Sequence, residues 1–316
     1  MELKSVCVIG GSGFVGRHVA NLLAAQSCDV LVPTRDRERA KQLILLPTVD
    51  AVEASVHDPA ALGQLTRGVD AVVNLVGVLH DAHGSRGFDE AHVELTRKVI
   101  AACAANGTRR YVHMSALGAD IKGPSKYQRT KGAAEQLVRA SSLDWTIFRP
   151  SVIFGREDRF LNLFARLLKI APVVFLGSPN ARFKPVYVED VAQALVHSIT
   201  DLGAFGKTYD LCGSRVYTLR ELVEFVGAVT GRRRPVIGLN DALSHLQALV
   251  LGLLPVKLLT LDNYRSMKVA NVSDEPFPFG IRPAALEAVV PEYLGNDSPR
   301  ARYRIYRDRV HRAEQH

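Results

Sequence analysis

The most constraining stretch of this chain lies at its start. Val6-Cys7-Val8-Ile9 is an apolar run, and Gly10, Gly11, Ser12, Gly13, Phe14, Val15 and Gly16 follow it directly. A helical pattern begins there, with Val15, Val19, Leu22 and Leu23 on one face. A buried strand must therefore turn sharply into a helix through four glycines. Glycine lets the backbone turn tightly and leaves the amides at the helix start open to a diphosphate, which the helix dipole attracts. The spacing fits two registers: Gly11, Gly13 and Gly16 give G-x-G-x-x-G, and Gly10, Gly13 and Gly16 give G-x-x-G-x-x-G. A glycine triplet alone is weak evidence, and a plain glycine-rich turn is the alternative. The strand before it and the helix after it are the context of a dinucleotide cradle. Its expected contacts are Gly10, Gly11, Ser12, Gly13, Phe14 and Val15.

Strands and helices then alternate. Residues 29–33 form a second strand, and Arg35 is the first side chain past its end. In such folds an acidic residue there takes the ribose 2′-hydroxyl, whereas an arginine accommodates a 2′-phosphate. Arg35, with a planar fork suited to phosphate, favours NADP(H) over NAD(H); Asp36 is the acidic alternative. Residues 49–54 form a third strand. Asp58 opens a helix with Pro59 at its first position, as an N-cap that can also face an adenine. Residues 70–78 read as a near-continuous apolar strand, buried on both faces. Asn74, Leu75, Val76 and Gly77 lie at its carboxyl end, where ligands bind in parallel sheets.

Residues 110–115 form strand five, with Met114 at its end, and residues 145–148 form strand six, closed by Arg149-Pro150. This alternation specifies an α/β chain: a Rossmann doubly wound parallel sheet with a smaller C-terminal lobe. Residues 1–150 are expected to form the dinucleotide domain, with 184–212 contributing to it. Residues 151–316 supply a smaller substrate- or partner-binding lobe that ends in a basic tail, 299–316.

Composition narrows the setting. With 316 residues, 47% of them hydrophobic, the chain can bury a large core. Cys7, Cys28, Cys103 and Cys212 are scattered without metal or disulfide spacing, as buried thiols are in a reducing compartment. No metal site is expected. The first strand leaves no room for a signal peptide, and no apolar run reaches the about 18 residues of a transmembrane helix. A cytoplasmic protein is expected, with a peripheral place on the inner membrane surface as the alternative. The net charge of +8 concentrates in the arginines of the tail, without the aromatic platform or helix-turn-helix of a nucleic-acid binder. The tail suits a solvated end, an anionic lipid surface or an acidic partner. Leu239, Leu243, Leu246, Val250 and Leu253 recur at helical spacing before Pro255. They fit either an interior helix or an in-plane amphipathic anchor.

The candidate chemistry lies between strands five and six. Tyr127 and Lys131, four residues apart, share a helix face. A nearby ammonium and a cofactor's positive charge would lower a tyrosine's pKa towards use as an acid or base. Lys131 would also bind the nicotinamide ribose. Arg156 and Arg159 offer an anion site or, in the simpler reading, a structural network with Glu157 and Asp158.

Together the glycines, Arg35, Asp58, Asn74, Tyr127/Lys131 and Arg149-Pro150-Ser151 resemble an atypical short-chain dehydrogenase/reductase of the extended type. Residues 153–162, IFGREDRFLN, and 185–192, PVYVEDVA, are similar to the Rossmann-fold accessory subunit of respiratory complex I and its bacterial relatives. That resemblance implies tight NADPH binding near the membrane and the quinone region, with a structural rather than a turnover role. Bacterial relatives are labelled epimerase/dehydratase or oxidoreductase, and yeast relatives are linked to ubiquinone biosynthesis. It further implies cofactor contacts at Met114, Pro150, Ser151 and Val152. Active extended members place a Ser or Thr just past strand five. Here Ala116 aligns with it, and a one-residue slip would bring Ser115 into the role. Two functions remain: a structural or redox-sensing NADP(H) holder that contacts a respiratory or quinone-pathway partner, or an oxidoreductase or epimerase/dehydratase using Tyr127 and Lys131.

Overall fold

The computed structural model describes residues 3–79, 81, 87–252 and 259–295. Pro255 and the basic tail therefore lie outside the described residues, as does most of the loop after strand four. The first half of the chain builds β1 (Ser5–Ile9), α1 (Phe14–Ala25), β2 (Asp29–Thr34), β3 (Val49–Glu53), α2 (Pro59–Leu65), β4 (Ala71–Asn74), α3 (Leu95–Asn106), β5 (Arg110–Met114), α4 (Lys126–Arg139) and β6 (Asp144–Pro150). A π-helical stretch, Asp89–Glu94, leads into α3. The second half adds β7 (Ile153–Phe154), α5 (Phe160–Ile170), β8 (Val174–Leu176), β9 (Arg182–Phe183), β10 (Val186–Tyr187), α6 (Val188–Thr200), β11 (Lys207–Leu211), β12 (Tyr217–Thr218), α7 (Leu219–Val229), β13 (Val236–Gly238), α8 (Asp241–Gly252), α9 (Leu261–Ser266) and α10 (Leu286–Leu294).

The main sheet has the order β11-β6-β5-β4-β1-β2-β3, with every pairing parallel. This is the expected doubly wound architecture. The chain steps outward from β1 to β2 and β3, then returns through β4 to the other half, so the switch point lies between β1 and β4. In sheets of this kind ligands bind there, beyond the carboxyl ends of the strands. One face of the sheet packs α1 and α6 through Val15, Val19 and Leu23 against Val188, Val191 and Leu195. The other face packs α2 and α3 through Leu62, Leu95, Val99 and Cys103 around Tyr111 and Ile147. A separate core joins α5, α7 and α10 through Leu161, Phe164, Leu222, Val226 and Val290.

Three local expectations change. β4 ends at Asn74, not residue 78, because the Asn74 Oδ1 takes the Val76 amide at 3.2 Å and turns the chain out of the sheet. β6 runs longer, to Pro150, because β11 pairs with it along its length. Helix α8 is not an interior helix: only Ser244 and Ala248 are buried, while Leu246 and Val250 are 54% and 52% exposed. Among the described residues, no helix is long and apolar enough to cross a membrane.

Candidate functional site

The glycine turn sits at the switch point. Gly10 adopts φ +86°, where a side chain is strained, and a Cβ on it would come within 3.3 Å of the Leu75 and Val76 backbone. Gly16 is more constrained: a Cβ there would lie 2.3 Å from the Gly10 carbonyl oxygen and 2.5 Å from the Gly11 Cα. The turn is closed by the Gly11 amide on the Val8 carbonyl and the Gly13 amide on the Gly10 carbonyl. Gly13 caps α1 with no side-chain hydrogen bond, and the first turn contains no acidic residue. The positive end of the helix dipole therefore meets no carboxylate from its own first turn, which fits a diphosphate. Phe14 leans from this turn onto Gly155, whose Cβ would meet its ring at 3.1 Å.

At the end of β2, the buried Thr34 hydroxyl bonds the Asp36 carbonyl at 2.9 Å, and the Asp36 carboxylate caps the Glu38 amide at 3.0 Å. Arg35 is exposed between them. Asp58 caps α2 through the Ala60 amide at 3.0 Å. Asn74 is buried and donates to the Tyr111 hydroxyl at 3.0 Å, so it shapes the Leu75–Gly77 turn from beneath.

At the other end, Lys131 is buried, and its Nζ donates to the carbonyl oxygens of Met114 at 3.0 Å and Val76 at 3.4 Å. Burial pulls its pKa down to about 8, against the pull of Glu135. Tyr127 lies edge-on to the rings of Phe88 and His92, at centroid distances of 5.7 and 5.5 Å. Burial pushes its phenol up to about 12. His92 is itself buried, bonded to the Thr130 hydroxyl at 2.9 Å and the Val78 amide at 3.3 Å. Desolvation drops it to about 2, with Lys131 and His113 adding to the effect, so it stays neutral. Ser115 is 3% exposed, and its Oγ has no hydrogen-bond partner. Ala116 follows it, also buried.

Ser151 and Val152 are gripped by a residue that sequence reasoning did not single out. The Asn271 Oδ1 accepts from the Ser151 hydroxyl at 2.6 Å and from the Val152 amide at 3.1 Å. Pro150 accepts the Leu117 amide at 2.9 Å. Asp262 was likewise missed, although its carboxylate takes the Lys126 and Tyr127 amides. No local pattern marks Asn271 or Asp262, because their partners are over a hundred residues away. The expected Arg156/Arg159 network is replaced. Glu157 pairs with Arg17, and Asp158 is consumed by the Gly155 and Leu161 amides and the Tyr293 hydroxyl. Among the described residues no cluster of three or more metal-ligating side chains occurs.

Known proteins resemble this chain. The NAD(P)H-binding family matches residues 10–201. Mouse NADH dehydrogenase (ubiquinone) 1 alpha subcomplex subunit 9, mitochondrial, is 31% identical over 311 residues, covering 95% of this chain and 80% of that protein. The NADH-ubiquinone oxidoreductase 40 kDa subunit of Neurospora crassa is 30% identical over 230 residues, 72% of this chain and 60% of its own. The crystal structure of the NADPH-dependent quinone oxidoreductase QOR2 of Escherichia coli, complexed with NADPH, shares the fold with a TM-score of 0.74. It is 20% identical and covers 92% of this chain and 99% of that one.

Proposed function

This chain belongs to the NAD(P)H-binding family, among the homologues of the alpha subcomplex subunit 9 proteins, and we propose that it holds NADP(H) as a structural or redox-sensing ligand. The diphosphate rests on the amides of residues 11–15, the 2′-phosphate on Arg35 and the adenine beside Asp58. Lys131 takes the nicotinamide ribose, with Met114, Val76, Gly77, Pro150, Ser151 and Val152 around the ring. NADP(H) supplies a hydride carrier at the nicotinamide C4.

The observation that carries a holding rather than a reacting role is Ser115. Its hydroxyl is buried without a partner, and Ala116 has none to offer. Tyr127 thus faces any carbonyl without a second donor, and burial keeps its phenol protonated. The alternative, an oxidoreductase or epimerase/dehydratase, draws support from the intact Tyr127/Lys131 pair.

The outward face of α8 is the contact with a membrane-associated setting. Leu243, Leu246 and Val250 line a shallow apolar groove with Phe175 of β8. Phe175 pairs in register with Ile237 of β13, and exposed Lys169, Arg233 and Arg234 lie just before the two strands. An exposed apolar face, with exposed cations close by in the chain, suits an anionic bilayer surface.

Mass spectrometry of the gently purified protein tests the holding role, and flotation with phosphatidylglycerol vesicles tests the contact. We expect about one NADP(H) per chain, in line with tight family-type binding, and flotation that Leu243→Asp/Leu246→Asp abolishes. Protein that carries no nucleotide and binds NADPH no more tightly than NADH would refute the holding role. Protein that stays at the bottom of the gradient would refute the contact.

A further inference from the structure

Helix α4 carries both Tyr127 and Lys131, so whatever holds α4 sets the nicotinamide end of the cleft. The start of a helix leaves four amides without intrahelical partners. In α4 all four are satisfied, by two different parts of the chain. Ser125 and Gln128 form a local capping box that serves the Ser125 and Gln128 amides. The other two, Lys126 and Tyr127, donate to the two carboxylate oxygens of Asp262 at 2.6 and 3.1 Å. Near its far end, α4 is anchored by buried Glu135, bidentate to Arg149 at 2.7 and 2.5 Å. The start of α4 is thus gripped from α9, in the C-terminal segment.

Asp262 and Tyr264 are two residues apart on α9, so their side chains leave it roughly 200° apart, on opposite sides. Asp262 faces α4. Tyr264 faces α8, where its hydroxyl bonds the Asp241 carboxylate at 2.5 Å. Lys268 lies 3.6 Å from the same carboxylate and 4.8 Å over the Tyr264 ring, and His245 of α8 meets that ring edge-on. A six-residue helix therefore ties the outward helix α8 to the first turn of the helix that carries Tyr127.

We propose that Asp262 is a positioning residue for the nicotinamide end of the cleft, and that the Tyr264–Asp241 bond makes α8 part of the same unit. This rests on the reading of Tyr127 and Lys131 as the nicotinamide end of a cofactor site. Asp262 touches neither cofactor nor substrate; it acts through α4. Displacing α4 would loosen Lys131 from the nicotinamide ribose and leave the glycine turn and Arg35 as they are.

Two ligands separate this role from a general loss of fold: NADPH, which spans the whole cleft, and 2′,5′-ADP, which reaches only the adenine end. Titration of the full chain with each gives the test. Asp262→Ala is expected to weaken NADPH about tenfold, the scale of a lost cap, and to leave 2′,5′-ADP within about twofold. Asp262→Asn keeps one acceptor oxygen and should lose about threefold. Tyr264→Phe, which removes a single hydroxyl and keeps the ring, should also lose NADPH selectively, by about threefold. Unchanged NADPH affinity in Asp262→Ala and Tyr264→Phe would overturn the proposal. So would equal losses of both ligands, which mark a structural effect only. If the unsubstituted protein binds neither ligand, the cofactor reading falls first and this inference with it.

Discussion

The two ends of the cleft are built by different rules. The proposed diphosphate end is made of consecutive residues, 8–16, and of backbone atoms whose positions glycine alone permits. The proposed nicotinamide end is made of side chains. Tyr127 and Lys131 come from one helix, but Asp262 holds its first turn from 135 residues away, and Asn271 holds Ser151 from 120 away. His92 and Phe88 wall Tyr127 from a third segment. A cradle written locally in backbone is lost only with the turn itself. A site assembled at long range can keep its Tyr and Lys and still lose the hydroxyl that would make them react.

That contrast is easiest to break at Gly16. A methyl there collides with the Gly10 carbonyl, so Gly16→Ala should weaken NADPH by at least about a hundredfold, measured by the fluorescence of the bound nucleotide. Gly63→Ala is the matched control. Nothing lies within 4 Å of its added Cβ in α2, and it should raise stability by about 0.5 to 1 kcal/mol without touching affinity. Equal behaviour of the two variants would mean that the glycine turn does not hold the nucleotide.

Acid should act on the side-chain end first. Burial holds His92 at about 2 and His113 at about 3, both well below the usual imidazole value of 6.5. A depressed folded-state value means that the unfolded chain binds the proton first. Stability is therefore full above pH 6.5 and falls as the pH drops towards these values. Each histidine contributes a slope of about 1.4 kcal/mol per pH unit there. Urea midpoints at pH 7 and pH 5 should separate by about 4 kcal/mol of stability from the pair, and His113→Gln should remove about half of that. A variant with the full acid loss would mean that His113 is protonated in the fold.

Smaller effects sharpen the adenine end. Arg35→Ala should reduce NADPH affinity about tenfold and leave NADH unchanged, the loss of one charged hydrogen-bonding partner. Equal affinities for the two nucleotides in the unsubstituted protein would assign the ribose to Asp36 instead. The smallest change is expected from Tyr127→Phe, which should alter NADPH affinity by less than about twofold, since its hydroxyl is not among the groups assigned to hold the nucleotide.

The same contrast decides what could be read from the chain beforehand. The glycines, the apolar strands and the alternation of strands with helices are local patterns, and the doubly wound sheet follows from them. The extension of β4 to residue 78 failed because apolar Leu75 and Val76 serve a turn beneath Gly10 rather than another rung of the sheet. Glu157 and Asp158 were matched to the wrong partners because Arg17 and Tyr293 approach only in three dimensions. Helix α8 read more simply as an interior helix, since an apolar face looks alike whether another helix or solvent meets it. Ser125 and Gln128 signal the start of α4 locally, whereas nothing near Asp262 signals that it completes the same cap.

On the proposed reading, the cleft holds a nucleotide it does not turn over. Protein loaded with NADPH can be mixed rapidly with a panel of quinones and carbonyl compounds while absorbance at the reduced nicotinamide band is followed. The bound NADPH should persist, with any slow loss identical in Tyr127→Phe. Rapid oxidation by one member of the panel, collapsing in Tyr127→Phe, would contradict it and make this chain an enzyme.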